Sequence, residues 1–140
     1  MQVGAYLAGM AIENAMLGVC HSCANPLTAH YGITHGVAIG VMLPHVIRFN
    51  AEASPDTDRL YAQILGDHAP SNGTSAGEAL AARVAELTAA AGLPQSLNEC
   101  GVSRTILHLL AEEANQQWTA RFNPRPVAED DILKLYESAW

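Results

Sequence analysis

Residues 18–50 read GVCHSCANPLTAHYGITHGVAIGVMLPHVIRFN and hold four of the six histidines and two of the three cysteines. His21 closes a nearly all-apolar segment, a polar stretch with Pro26 and Gly32 follows, and His35 opens a second apolar segment. Two such segments joined by turn-forming residues predict two helices with a histidine at each facing end. Residues 2 to about 20 are expected as the first helix and 23–34 as a loop. Residues 35 to about 52 form the second helix, which Pro44 should kink or break.

Outward from this stretch the punctuation is helical. Ser54-Pro55 places an N-cap before a proline at the first helical position, and Gly66 ends that helix. Residues 67–74 read as a polar loop. Ser75 with Glu78 fits a capping box and opens an alanine-rich helix to about Ala91, with Leu80, Val84 and Leu87 on one face. Ser103 caps a leucine-rich helix whose Ile106, Leu107, Leu109 and Leu110 point inward. Asn123-Pro124-Arg125-Pro126 makes a rigid turn, and a last helix starts near Ala128 with Glu129, Asp130 and Asp131 against its dipole. No strand run or repeat interrupts the pattern. The expected fold is all-α, one domain over residues 1–140, with about six or seven helices.

Composition narrows the function. The 140 residues are 49% hydrophobic and only 15% charged, against about 25% charged in an average domain. Part of the surface is therefore expected to be covered by another domain or another copy. The net charge of -7 and the absence of an arginine cluster argue against a nucleic-acid partner. The run Val3–Cys20 is interrupted by Glu13 and Asn14, which fits a buried helix better than a membrane span. Met1-Gln2-Val3-Gly4 lacks the basic start of a secretory signal, so a cytoplasmic protein is expected. A core-like helix at the very start reads as a cut through a larger protein.

The candidate chemistry is imidazole. His21 and His35 lie at two helix ends that can converge across the loop, and imidazole suits zinc, iron or nickel, although two histidines are fewer than the three protein ligands a catalytic metal usually has. The alternative is that they are satisfied polar or core histidines. Cys20 and Cys23 form a lone CxxC, weak evidence for zinc; buried thiols in a reducing compartment are the plainer reading. His45 follows the kinking proline as a supporting residue, and His68 and His108 are expected at the surface.

The motifs raise the metal reading. His21, then Pro26-Leu27, then His35-Gly36 and Leu43-Pro44-His45 resemble the C-terminal signature of the iron-containing (group III) alcohol dehydrogenases. GAYLAGMAIENAMLGVCH near the start and NPRPVAEDDILKLYESAW at the end resemble that family too, closest to its lactaldehyde reductase (1,2-propanediol oxidoreductase) branch. The resemblance covers essentially the whole chain. It implies an all-helical domain that in the family follows an NAD(P)-binding α/β domain, with the active site between them. It also implies a divalent metal, usually Fe2+ and sometimes Zn2+, held by an aspartate, a histidine and two further histidines. The last two map onto His21 and His35. Asn25 stands where the family commonly has a second histidine near the nicotinamide. An amide does not titrate near neutral pH, so His30, in the same stretch, is a candidate replacement for proton transfer.

From the resemblance, the expected function is the C-terminal part of an NAD(P)-linked, metal-dependent dehydrogenase interconverting small alcohols or diols and aldehydes or ketones. The chain is expected to be inactive without its N-terminal domain and to self-associate through the surface left bare, as a homo-oligomer. A rival reading makes it a non-catalytic helical assembly module, or a subunit complementing a separate nucleotide-binding chain. The related zinc glycerol dehydrogenases and dehydroquinate synthases match its histidine motifs less well.

Overall fold

The structure, a computed structural model, describes residues 2–71 and 73–140; Met1, and Asn72 within the predicted 67–74 loop, lie outside the described residues. Seven helices run in order: α1 Gln2–Ala15, α2 Val19–Tyr31, α3 His35–Ala51, α4 Pro55–Leu65, α5 Ala76–Ala90, α6 Leu107–Asn115 and α7 Glu129–Ala139. Short 3-10 turns sit at Gly66–His68, Arg104–Ile106 and Trp118–Phe122, and among the described residues there is no strand. The all-α expectation is met.

Two expected boundaries moved. The first apolar segment is not one helix to residue 20. Met16 adopts a left-handed backbone (φ 62°), and α1 and α2 meet at a 107° bend. Residues 23–31 are not loop but the body of α2, which runs through Pro26 and ends where Gly32 takes φ 64° and caps Thr28 O. The proline forfeits one backbone bond. Val19, Cys23, Ala24 and Leu27 are fully buried on the same helix, and burying aliphatic side chains at ~1.5–3 kcal/mol each outweighs that loss. The same holds for Pro44, which is buried inside a continuous α3.

The core lies between α2, α3, α6 and α7, around Leu27, Met42, Leu107, Leu110, Ile132 and Tyr136. Tyr136 is fully buried and its hydroxyl donates to Cys23 O at 2.7 Å. Trp140 Nε1 donates to Val102 O at 2.8 Å, closing the C-terminus onto the segment before α6. The Asn-Pro-Arg-Pro turn is pinned by Asn123. Its amide exchanges hydrogen bonds with the Asn50 amide at 3.2 and 2.7 Å, and its Nδ2 also donates to Arg125 O. Leu109, expected inward, is 43% exposed, and Leu87, on the face it shares with Leu80 and Val84, is 54% exposed.

The α4–α5 corner is capped as expected on one side. Ser54 Oγ accepts from Thr57 N and Ser75 Oγ from Glu78 N. The return half of the Ser75 box is absent, because the Glu78 carboxylate takes a bidentate pair from Arg48 at 2.6 and 2.8 Å. A charge-assisted pair of hydrogen bonds outcompetes one bond to a backbone N–H. Asp58 caps the first turn of α5 from outside, accepting from Ala76 N and Gly77 N at 3.2 and 2.7 Å.

α1 stands apart: none of its residues is buried, and Tyr6 and Leu7 are 67% and 57% exposed. No single helix among the described residues is long and apolar enough to cross a membrane.

Candidate metal centre

His21 lies in the first turn of α2 and His35 is the first residue of α3. The extended backbone at Thr34 brings the start of α3 back beside the first turns of α2, where Cys20 Sγ also lies 3.9 Å from Ile39 O. The two imidazoles come together here. His21 Nδ1 and His35 Nε2 are 3.0 Å apart, with ring centroids 5.1 Å apart and planes tilted by 35°. Without an ion, one ring donates its N–H to the other. Burial chiefly, and then His35, pulls the His21 imidazole below its ordinary range, which favours the neutral ring a metal requires.

The pair fits a shared ion. Two nitrogens each about 2.1 Å from one metal lie about 3.0 Å apart at an angle of about 90°, and about 3.4 Å apart at the tetrahedral angle. The 3.0 Å separation falls at the near end of that range. Among the described residues no third His, Cys, Asp or Glu joins them. Two imidazoles are fewer than the three protein ligands a catalytic metal usually has.

The remaining sequence candidates are placed as follows. Asn25 is one turn along α2 from His21, on the same face, and its Nδ2 donates to Gln117 Oε1 at 3.1 Å. His30 is nine residues beyond His21, about 13 Å along the helix and on its opposite side. Its Nε2 pairs with Glu113 at 2.8 Å, so the structure does not bring it together with His21 and His35. Cys20 and Cys23 are buried thiols; burial pushes Cys20 up to about 12 and Cys23 higher still, so both are protonated in this fold. His68 and His108 are exposed, as expected.

Two residues near the histidine pair carried no sequence signal. Ser22 and Thr119 share a buried hydroxyl–hydroxyl hydrogen bond of 2.8 Å, and Gln117 holds Asn25. Both partners come from the segment after α6. The sequence offers only a polar connection there, and nothing local says that it lies along α2.

A cavity of about 390 Å³ lies elsewhere, between the end of α3 and α7, and touches neither His21 nor His35. Arg125 lines it, stacked 4.0 Å over the Phe49 ring, beside His45. Burial first, and then Arg48, holds the His45 imidazole below its ordinary range. In the unfolded chain it titrates near 6.5, so its contribution to stability is complete above that pH and is lost as pH falls through the lower folded value. Urea midpoints at about pH 7.5 and pH 5.5 test this. The wild-type midpoint is expected to fall more on acidification than that of His45→Gln, and equal falls would contradict it.

The family model described as Fe-containing alcohol dehydrogenase family, C-terminal, matches residues 1–140. Lactaldehyde reductase of Escherichia coli (strain K12) is 37% identical over 143 residues, covering 100% of this chain and 37% of that protein. 1,3-Propanediol dehydrogenase of Citrobacter freundii is 36% identical over 141 residues, covering 100% and 36%. The crystal structure of a 1,3-propanediol oxidoreductase superposes with a TM-score of 0.85 at 37% identity, covering 96% of this chain and 35% of that one. The chain thus spans a little over a third of the length of the curated relatives it matches.

Proposed function

Because the chain belongs to the Fe-containing alcohol dehydrogenase family, as its C-terminal part, we propose that it forms the metal-side half of a nicotinamide-linked dehydrogenase for small alcohols or diols. The observation that carries this is the 3.0 Å approach of His21 Nδ1 and His35 Nε2. These two atoms would hold Fe2+, or Zn2+, with the other ligands and the NAD(P) site supplied by protein outside these 140 residues. When bound, the metal supplies Lewis-acid polarisation of an alcohol or carbonyl oxygen, and the nicotinamide carries the hydride.

The chain's own residues then have separable tasks. His21 and His35 are held by two helix starts that the buried α2–α3 contact fixes. Asn25 lines the substrate side one turn away; it donates and accepts hydrogen bonds but moves no proton. The bare apolar surface of α1 is where the nucleotide-binding part would dock, since an all-round apolar helix belongs inside a larger assembly. The half-site by itself is inactive in this reading, and the working enzyme is a cytoplasmic homo-oligomer.

The test joins these residues to the nucleotide-binding part of lactaldehyde reductase, loads Fe2+ without oxygen and follows NADH with small alcohols and diols. Turnover that disappears on metal removal and returns with Fe2+ or Zn2+ is expected. A folded, metal-loaded fusion that oxidises none of them would overturn the reading.

A further inference from the structure

The cavity of about 390 Å³ between α3 and α7 has no task in the function proposed above. Small-molecule sites occupy about 300–1,000 Å³, and this cavity falls in that range. Arg48, Phe49 and Glu52 line it from the end of α3, Asp131 and Lys134 from α7, and Arg125 from the turn before α7. Three of the seven Lys and Arg residues are here, against two of the fourteen Asp and Glu, so a chain with twice as many acids as bases reverses that balance at this place. The two carboxylates are in use. Asp131 Oδ2 accepts from Ala128 N at 3.1 Å, and Glu52, with its side chain 76% exposed, meets Arg125 Nη1 at 3.5 Å. Several donors are not in use. Lys134, the one lysine in the sequence, has no hydrogen bond or ion pair among the described residues. Arg125 spends Nη1 on Phe49 O and Glu52 and keeps Nε and Nη2, and Arg48 spends Nε and Nη2 on Glu78 and keeps Nη1. The His45 ring, which also lines the cavity, has no hydrogen bond among the described residues either.

We infer that this cavity binds a small oxyanion, the carboxylate or phosphate group of a ligand, at a site separate from the histidine pair. A guanidinium edge matches the paired oxygens of either group, and an ammonium adds a point charge. Arg125 is stacked 4.0 Å over the Phe49 ring, which holds its plane in place and leaves its edge to donate. A cationic ligand would meet only carboxylates that already accept from the protein, and a neutral one would leave the Lys134 charge unanswered. The site is not the one proposed for the alcohol. His45 is ten residues beyond His35 on α3, about 15 Å along the helix. The inference is therefore independent of the dehydrogenase reading.

The experiment titrates inorganic phosphate, and separately propionate, into the metal-free 15N-labelled 140-residue chain at about pH 7.5 and constant ionic strength, so that general screening does not change. Saturable shifts of the Arg125, Lys134 and Ser138 backbone amide signals are expected with at least one of the two anions. Lys134→Gln, at an exposed position, should weaken that binding about tenfold or more, as the loss of a charge-assisted hydrogen bond does. Lys134→Arg should restore it, and the amide spectrum of each variant reports that it is folded. Arg59→Gln removes the same charge from a residue that does not line the cavity and should leave binding unchanged. Saturation by phosphate alone assigns a phosphate ester as the ligand class, by propionate alone a carboxylate, and by both an oxyanion of either kind. Shifts that rise linearly with both anions would overturn the inference. So would binding that Lys134→Gln leaves intact, or that Arg59→Gln weakens equally.

Discussion

His21→Ala and His35→Ala are each expected to abolish stoichiometric binding of Fe2+ (anaerobic) or Zn2+ to the 140-residue chain. In the proposed half-site the two nitrogens face each other at 3.0 Å, and no third ligand-type side chain joins them among the described residues. Removing one leaves a single imidazole, which cannot compete with water for a divalent ion. Loss of a residue that merely supports a ligand weakens affinity by about 10–100-fold. Loss of a ligand here should exceed that range. Titration calorimetry on wild type, both variants and His30→Ala checks it. His30, held by Glu113 well along α2, is expected to leave binding unchanged. Binding that survives in both His21→Ala and His35→Ala would place the ion elsewhere and remove the main support for the proposed function.

Gly77→Ala should reverse the usual sign of a helix substitution. In an open helix, alanine is better than glycine by about 1 kcal/mol. Gly77 sits in the first turn of α5, and a methyl group there would run into the Ala51 methyl at the end of α3. Neither methyl can swing away, since each is fixed by its own backbone. The Gly77 N–H bond to Asp58, at 2.7 Å, also resists a shift of the turn. Overpacking of this kind costs about 1–3 kcal/mol, and here it must first cancel the propensity gain. With two backbone-fixed methyls in direct collision the cost belongs at the upper end of that range, so the expected net loss is ~1–2 kcal/mol, or roughly 3–8 °C in Tm for a domain of this size. Ala51→Gly added to Gly77→Ala should restore much of it, giving a favourable coupling in the double-mutant cycle. Gly36→Ala is the control, with nothing within 4 Å of the added methyl. A Gly77→Ala chain as stable as wild type would mean that α3 and α5 are not this close.

Much of this is legible in the amino-acid sequence. Ser54-Pro55, Gly66, Ser75 and Ser103 mark helix ends because capping is local chemistry, decided within three or four residues. His21 and His35 stood out for the same local reason, as histidines at the ends of apolar runs. Where local signals failed, tertiary burial had overruled them. Pro26 and Asn25 read as a turn, yet α2 continues through them because Cys23, Ala24 and Leu27 are fully buried on it. Conversely, the long apolar run broke at Met16, which carries no turn signal at all.

The chain's order of residues was enough to establish an all-helical fold, a pair of histidines and a resemblance to a metal-dependent dehydrogenase family. Such information is periodic or local, and side-chain type alone carries it. Tertiary structure alone decided that the two imidazoles meet at 3.0 Å, that His30 is taken up by Glu113 and that Gln117 orients Asn25. Each of these depends on segments 14 to 92 positions apart in sequence being folded against one another. No spacing pattern encodes such an approach, because it is set by how the helices bury their apolar faces.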